Sequence, residues 1–159
     1  MRCRVNYLKL VRADSGDSWL YSGWMNIQVA VLCDAATDDN GKLNLLVAFD
    51  TIYTQQLPAI HPQCSIALRV TFFNGDEGKH NLQLNFVDAD GHSIAKFPHI
   101  PVEVALPEDM HFGTRNFIVN LQQLKFDNPG LYSIDLSLDG QQQASIPLLV
   151  RHNPPAQPA

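Results

Sequence analysis

Sixteen carboxylates, six histidines and three cysteines are the side chains of this 159-residue chain best suited to chemistry, and their spacing limits what they can do. The acids offer most. Asp34, Asp38 and Asp39 precede the second expected strand, Asp76 and Glu77 separate the third from the fourth, and Asp127 separates the seventh from the eighth. If consecutive strands simply alternate in direction, these three connections meet at one end of the molecule. A hard cation such as Ca²⁺ takes roughly six to eight oxygen ligands, which converging loops can supply. A calcium-dependent binding module built on these acids is therefore one reading. Against it, Asp, Asn and Gly are ordinary turn residues, and a crossover between sheets would break the alternation. The expectation is no metal or cofactor, with the acidic loops as the alternative.

The nitrogen and sulfur ligands are scattered. His61, His80, His92, His99, His111 and His152 form no H-x-H or H-E-x-x-H pair. Cys3, Cys33 and Cys64 are odd in number and widely spaced, so they give neither a disulfide framework nor a zinc pattern. His61-Pro-Gln-Cys64 would let an imidazole activate a thiol. Yet Cys64 opens a strand on its apolar face, with no cation nearby in sequence to favour the thiolate. A Cys/His enzyme ranks last. Asp88 and Asp90 have the residue types of a glycosidase carboxylate pair, but they sit in Asp88-Ala-Asp-Gly91, a turn sequence. No Gly-rich phosphate loop and no Gly-x-Ser-x-Gly elbow occurs. The chain is expected to be non-enzymatic, with no catalytic residue.

Composition bounds the elements that must carry these side chains. Apolar residues make up 45% and charged residues 17%, the balance of a folded globule rather than a disordered chain. A chain of this length buries about 70% of its unfolded surface, enough for a core without staples. The net charge of −5, with no basic run, argues against a nucleic-acid partner. No apolar stretch approaches the roughly 18 residues of a membrane span. The first 24 residues lack the apolar core of an export signal, so a reducing cytoplasm is the expected location.

From Asn26 onward the apolar period is two, the period of strands. The pattern predicts strands at Asn26–Cys33, Lys42–Asp50, Cys64–Phe73, His80–Asp88, Ser93–Phe97, Pro101–Leu106, Asn116–Gln122, Leu131–Leu138 and Ala144–Val150. Their inward sets would be Ile27, Val29, Val31 and Cys33; then Leu43, Leu45, Val47 and Phe49; then Cys64, Ile66, Leu68, Val70 and Phe72, and so on along the chain. Asp39-Asn-Gly41, Asn74-Gly75, Asp90-Gly91 and Asp139-Gly140 supply turns. Pro101 and Pro147 should lie at sheet edges, because proline cannot donate to a ladder. A single helical turn is expected near Leu106–Phe112. About nine short strands, each with one apolar face, demand two packed sheets or a barrel. Asp127-x-Pro-Gly130-x-Tyr132 resembles the tyrosine corner of immunoglobulin-like domains and favours an all-β, immunoglobulin-like two-sheet sandwich.

Two segments extend the likeness. Asn26–Asp50, with Cys33-Asp-Ala-Ala36 and Gly41-Lys-Leu-Asn-Leu-Leu46-x-Ala-Phe-Asp50, and the closing Gly130-x-Tyr132 through Asp139-Gly140 to Ile146-Pro-Leu148, are similar to a bacterial family of small, uncharacterised, stand-alone β-sandwich proteins. The resemblance covers Met25–Val150. It implies a fold and carries over no catalytic or binding residue. Residues 1–24 fall outside it and hold four of the eleven cations, so they read as an extension or a misplaced start; 25–151 is the sandwich domain, and 152–159 a disordered, Pro-rich tail.

Ala30, Leu32, Leu46 and Ala48 fall opposite the inward set, on a face that should meet water. Two-sided apolarity means cover on both faces, either from the segment Leu57-Pro-Ala-Ile-His-Pro62 or from a second subunit. The reading that follows is a binding or scaffold module that pairs with itself or with another protein.

Overall fold

The structure is a computed structural model and describes residues 25–153, with Lys96 described for its backbone alone. The extension at residues 1–24 and the tail beyond 153 lie outside the described residues. The alternation of apolar residues produces ten strands: β1 (Asn26–Asp39), β2 (Lys42–Phe49), β3 (Thr51–Thr54), β4 (Ala59–Phe73), β5 (Gly78–Asp88), β6 (Ser93–Lys96), β7 (Ile100–Val104), β8 (Phe112–Phe126), β9 (Gly130–Leu138) and β10 (Gln141–His152). They form two sheets. One has the order β2-β1-β4-β8; the other has the order β3-β10-β9-β5-β6, with β7 beside β6 along the same edge of β5. The chain changes sheets between β2 and β3, and β3 then runs parallel to β10. No helix among the described residues is long and apolar enough to cross a membrane.

The core lies between the sheets and follows the expected phase over most of its area. Cys64, Ile66, Leu68, Val70 and Phe72 of β4 face Leu82, Leu84 and Phe86 of β5, Ile134 and Leu136 of β9, and Ile146, Leu148 and Val150 of β10, all buried. Phe126 meets Tyr132 edge-on at 5.1 Å between ring centroids and Phe86 at 6.0 Å, a geometry that sets ring edge against ring face. The Tyr132 hydroxyl donates to the Asn128 carbonyl at 2.7 Å. That bond is the tyrosine corner, and it marks the sandwich as immunoglobulin-like.

Five local expectations need correction. There are ten strands rather than nine, because Thr51–Thr54, too short to show a period, pairs with the end of β10. β4 begins at Ala59, so most of the segment expected to cover the apolar face is itself strand. Near Leu106–Phe112 there is one turn closed by Met110 N–H on the Pro107 carbonyl, and no helix. The last strand runs through His152, and the Asn153 amide donates to the Thr54 carbonyl, so the sandwich reaches past 151. Pro147 lies in an internal strand, but at a point β3 does not reach, since that pairing starts at Leu149.

The phase of β1 is also reversed over half its length. A register shift between Ile27 and Val29 flips the alternation. Ala30 and Leu32 therefore turn inward, Leu32 being 1% exposed, in place of Val29 and Val31. In β2 only Phe49 of the expected inward set, itself half-buried, packs against the core; Leu45 and Val47 are exposed. The β1–β2 hairpin leaves the plane of its sheet beyond Cys33, the last residue of β1 paired to β4. It lies back over the sheet's outer face. Arg69 Nη1 of β4 donates to the Gly41 carbonyl at 2.7 Å, and Asn116 Nδ2 of β8 donates to Asp38 Oδ2 at 2.6 Å. Opposite Asp34 the ladder skips Val47, which bends at φ +52°.

Candidate functional site

The topology separates the acidic set. β1 and β8 are antiparallel to β4, so the connection after β8 leaves from the end where β4 begins, with Phe126 opposite Ala59. Asp127 is at that end. Asp76 and Glu77 follow the other end of β4, a full 15-residue strand away. Asp38 and Asp39 sit on the folded-back hairpin, with Asp38 bonded to Asn116 of β8. Alternating directions would have brought the three together; the crossover to the second sheet and the reversal of the hairpin keep them apart.

Each acid has a local structural role or stands exposed. Asp38 accepts the Gly41 amide at 2.8 Å as well as Asn116, and these two bonds hold its carboxyl below the usual range. Asp39 Oδ1 accepts from the Asn40 side chain, Asp76 Oδ2 from the Phe73 amide, and Glu77 Oε2 from the Gly75 amide. Asp127 pairs with Lys125 at 2.9 Å, and Asp34 is exposed on β1. Among the described residues, one close cluster of metal-capable side chains exists, Asp88, Asp90 and His92, with ligand atoms within 4.8 Å of one another. It offers three ligand atoms from a single turn. Asp88 Oδ1 already accepts the amides of His92 at 2.8 Å and Asp90 at 3.0 Å, bonds that lower its carboxyl pKa and make it the anchor of that turn.

The His61–Cys64 pair, the last-ranked reading, lacks the setting of an activated thiol. Cys64 is buried in the core, and burial, with Cys33 and Asp34 adding to it, pushes its thiol up to about 11. A nucleophile needs the opposite shift. His61 packs against Phe49 with ring centroids 5.4 Å apart, and its Nε2 is buried with no hydrogen-bond partner. Cys33 is likewise a buried thiol, raised by burial, and its Sγ–H donates to the Ser65 carbonyl at 3.6 Å.

Sequence reasoning missed one feature and saw another only in part. The first is a cleft of about 290 Å³ lined by Met25, Phe72, Asp76, His80, Asp139 and their neighbours on β9 and β10. Its polar wall is His80, whose Nδ1 lies 2.7 Å from Asp139 Oδ2. The two residues are 59 apart in sequence and meet because β5 pairs with β9, with Leu82 opposite Leu138. No spacing signal could have revealed that. The second is the outer edge of β2. Leu46 is 61% exposed and Val47 60%, with Leu45 beside them, on a strand that pairs among the described residues with β1 alone. Leu46 was legible as an outward residue; Val47 was not, because its positive φ breaks the alternation.

Solved structures resemble the chain only distantly. An alkylpurine DNA glycosylase from Pseudomonas fluorescens, bound to DNA containing an abasic site analog, aligns with 80% of this chain and 30% of its own at 9% identity and a TM-score of 0.48. A β-glucosidase from Listeria innocua, in complex with isofagomine, aligns with 84% of this chain and 17% of its own at 7% identity and a TM-score of 0.47. The chain thus spans less than a third of either protein. An immunoglobulin-like protein from Pseudomonas aeruginosa aligns over 80% of this chain and 97% of its own at 12% identity and a TM-score of 0.37. No curated protein matches in sequence. A family profile matches residues 28–151, nearly the whole described sandwich, and the chain belongs to that family, DUF6941, a family of unknown function.

Proposed function

We propose that the chain is a non-enzymatic binding module of the cytoplasm that pairs with a second copy of itself through the edge strand β2. The observation that carries this reading is Val47. It is a β-branched residue held at φ +52° and left 60% exposed. The left-handed region costs a residue with a Cβ about 1–2 kcal/mol, and folding alone would favour Gly or Asn there. Strain of this kind is retained where a surface is used. Its neighbours Leu45 and Leu46 make the same stretch apolar.

An edge strand offers unpaired backbone groups to another strand. No charged side chain lies between Leu43 and Phe49, so two copies can meet there without like-charge repulsion in spite of the net −5. A two-fold axis through the strand would place the Leu45–Val47 stretches of both copies against each other, the self-complementary arrangement of most dimers. The dispersal of the acids and the raised pKa of Cys64 support binding over catalysis. The acidic chain favours a protein partner over a nucleic acid. Sedimentation equilibrium tests the proposal: the native chain should show a concentration-dependent dimer, and Leu46→Glu a folded monomer whose melting temperature no longer varies with protein concentration. A monomer at every concentration in the unsubstituted chain would overturn it.

A further inference from the structure

His80 has an acceptor on each side of its ring. Nδ1 lies 2.7 Å from Asp139 Oδ2, and Nε2 lies 2.7 Å from the main-chain carbonyl of Asp76. A carbonyl and an ionised carboxylate can only accept. A neutral imidazole has one N–H and one lone pair, so it satisfies one partner and turns a lone pair on the other; an imidazolium satisfies both. Asp139 is fixed in place as well, because its Oδ1 accepts the Asn81 amide at 2.8 Å. The ring stacks on Phe72 of β4 at 6.3 Å and 23°. The titratable groups facing it are Asp76, from the connection between β4 and β5, and Asp139, from the turn between β9 and β10. Leu138, Gln141 and Gln143, which complete this wall of the cleft, carry no charge. Further along, His99 Nδ1 lies 2.9 Å from Asn81 Nδ2.

We propose that His80 is a proton-operated clamp on this cleft: as an imidazolium it ties the β4–β5 connection to the β9–β10 turn, and as a neutral ring it lets the connection go. The bond that survives is the one to Asp139, because a carboxylate is the stronger acceptor. The bond that is lost is the one to the Asp76 carbonyl, so the wall formed by residues 74–77 loosens while the turn at Asp139 stays paired. Asp139, foremost, raises the imidazole above its ordinary 6.5; burial opposes this, and the Asp76 carbonyl adds to the rise. A group raised on folding contributes stability below its unfolded pKa and loses it as pH climbs through the folded one. The clamp is therefore closed on the acid side and opens above the raised value.

Ring ¹⁵N spectra and amide exchange of the full chain across neutral pH test this. At about pH 6 both His80 ring nitrogens should carry protons, and the ring should titrate above 6.5 with Nδ1 keeping its proton. Protection of the amides at 75–77, corrected for intrinsic rates, should fall several-fold over the same titration, and His80→Gln should show no such step. A His80 ring with one bare nitrogen at about pH 6 overturns the proposal, as does unchanged protection at 75–77 through the titration. The ring spectrum needs no variant, so it decides even if His80→Gln folds poorly. Neither readout depends on self-association through β2.

Discussion

Tyr132 and Asn128 close the entrance to β9 with a single bond, the tyrosine hydroxyl donating to a carbonyl four residues earlier at 2.7 Å. The bond fixes the corner where the chain passes from β8 in one sheet to β9 in the other. Its ring, meanwhile, packs edge-on against Phe86 and Phe126. Tyr132→Phe keeps the ring and removes the bond, and should cost about 1 kcal/mol in urea unfolding. A neutral result would mean that the ring alone holds the corner.

The register shift in β1 makes a sharper claim. Leu32 is a core residue and Leu46 a surface residue, although both have the same phase in an unbroken alternation. Leu32→Ala should therefore cost about 2–5 kcal/mol, the range for emptying a packed site. Leu46→Ala should stay within about 0.5 kcal/mol when measured on the monomer. Equal costs at the two positions would mean that the strand has no bulge.

These two residues also show how far the sequence could be read. Strands β4, β5, β9 and β10 supply most of the core, and period two identified their inward residues, from Cys64 to Val150, with little error. The tyrosine corner was legible because it is local, lying within six residues from Asp127 to Tyr132. The bulge near Gln28 and the bend at Val47 were not, since nothing in residue type marks either one: Val47 is a strong strand former placed where a glycine would be expected. The acidic loops failed for a different reason. Their juxtaposition depended on strand order, which hydrophobic alternation does not encode, and His80–Asp139 exists only because β5 pairs with β9.

Cys64 provides a chemical check on the non-enzymatic reading. A rise from 9.0 to about 11 leaves roughly a hundredfold less thiolate at mildly alkaline pH than in the unfolded chain. Burial slows attack further. Thiol labelling followed by peptide mapping should find Cys64 modified at least about a hundredfold more slowly in the native protein than in urea. Labelling as fast as in the unfolded chain would return the His61–Cys64 pair to consideration.

The strain at Val47 can be relieved directly. Asn tolerates the left-handed region better than any β-branched residue, so Val47→Asn should stabilise the monomer by about 1 kcal/mol, read from the denaturation midpoint at unchanged slope. The same change replaces an exposed apolar side chain in the proposed interface, so self-association should weaken while the fold strengthens. Destabilisation of the monomer would show that Val47 is not strained.

The most direct measurement of the central claim is amide hydrogen exchange across Lys42–Phe49 as a function of protein concentration. In the hairpin, the amides of β2 that point away from β1 have no partner among the described residues. Pairing with a second copy would cover these amides, so their protection should rise with concentration. The amides of internal strands such as β9 should not change. Outward amides of β2 that exchange at the same fast rate at every concentration, while the protein sediments as a dimer, would place the contact elsewhere and contradict the account.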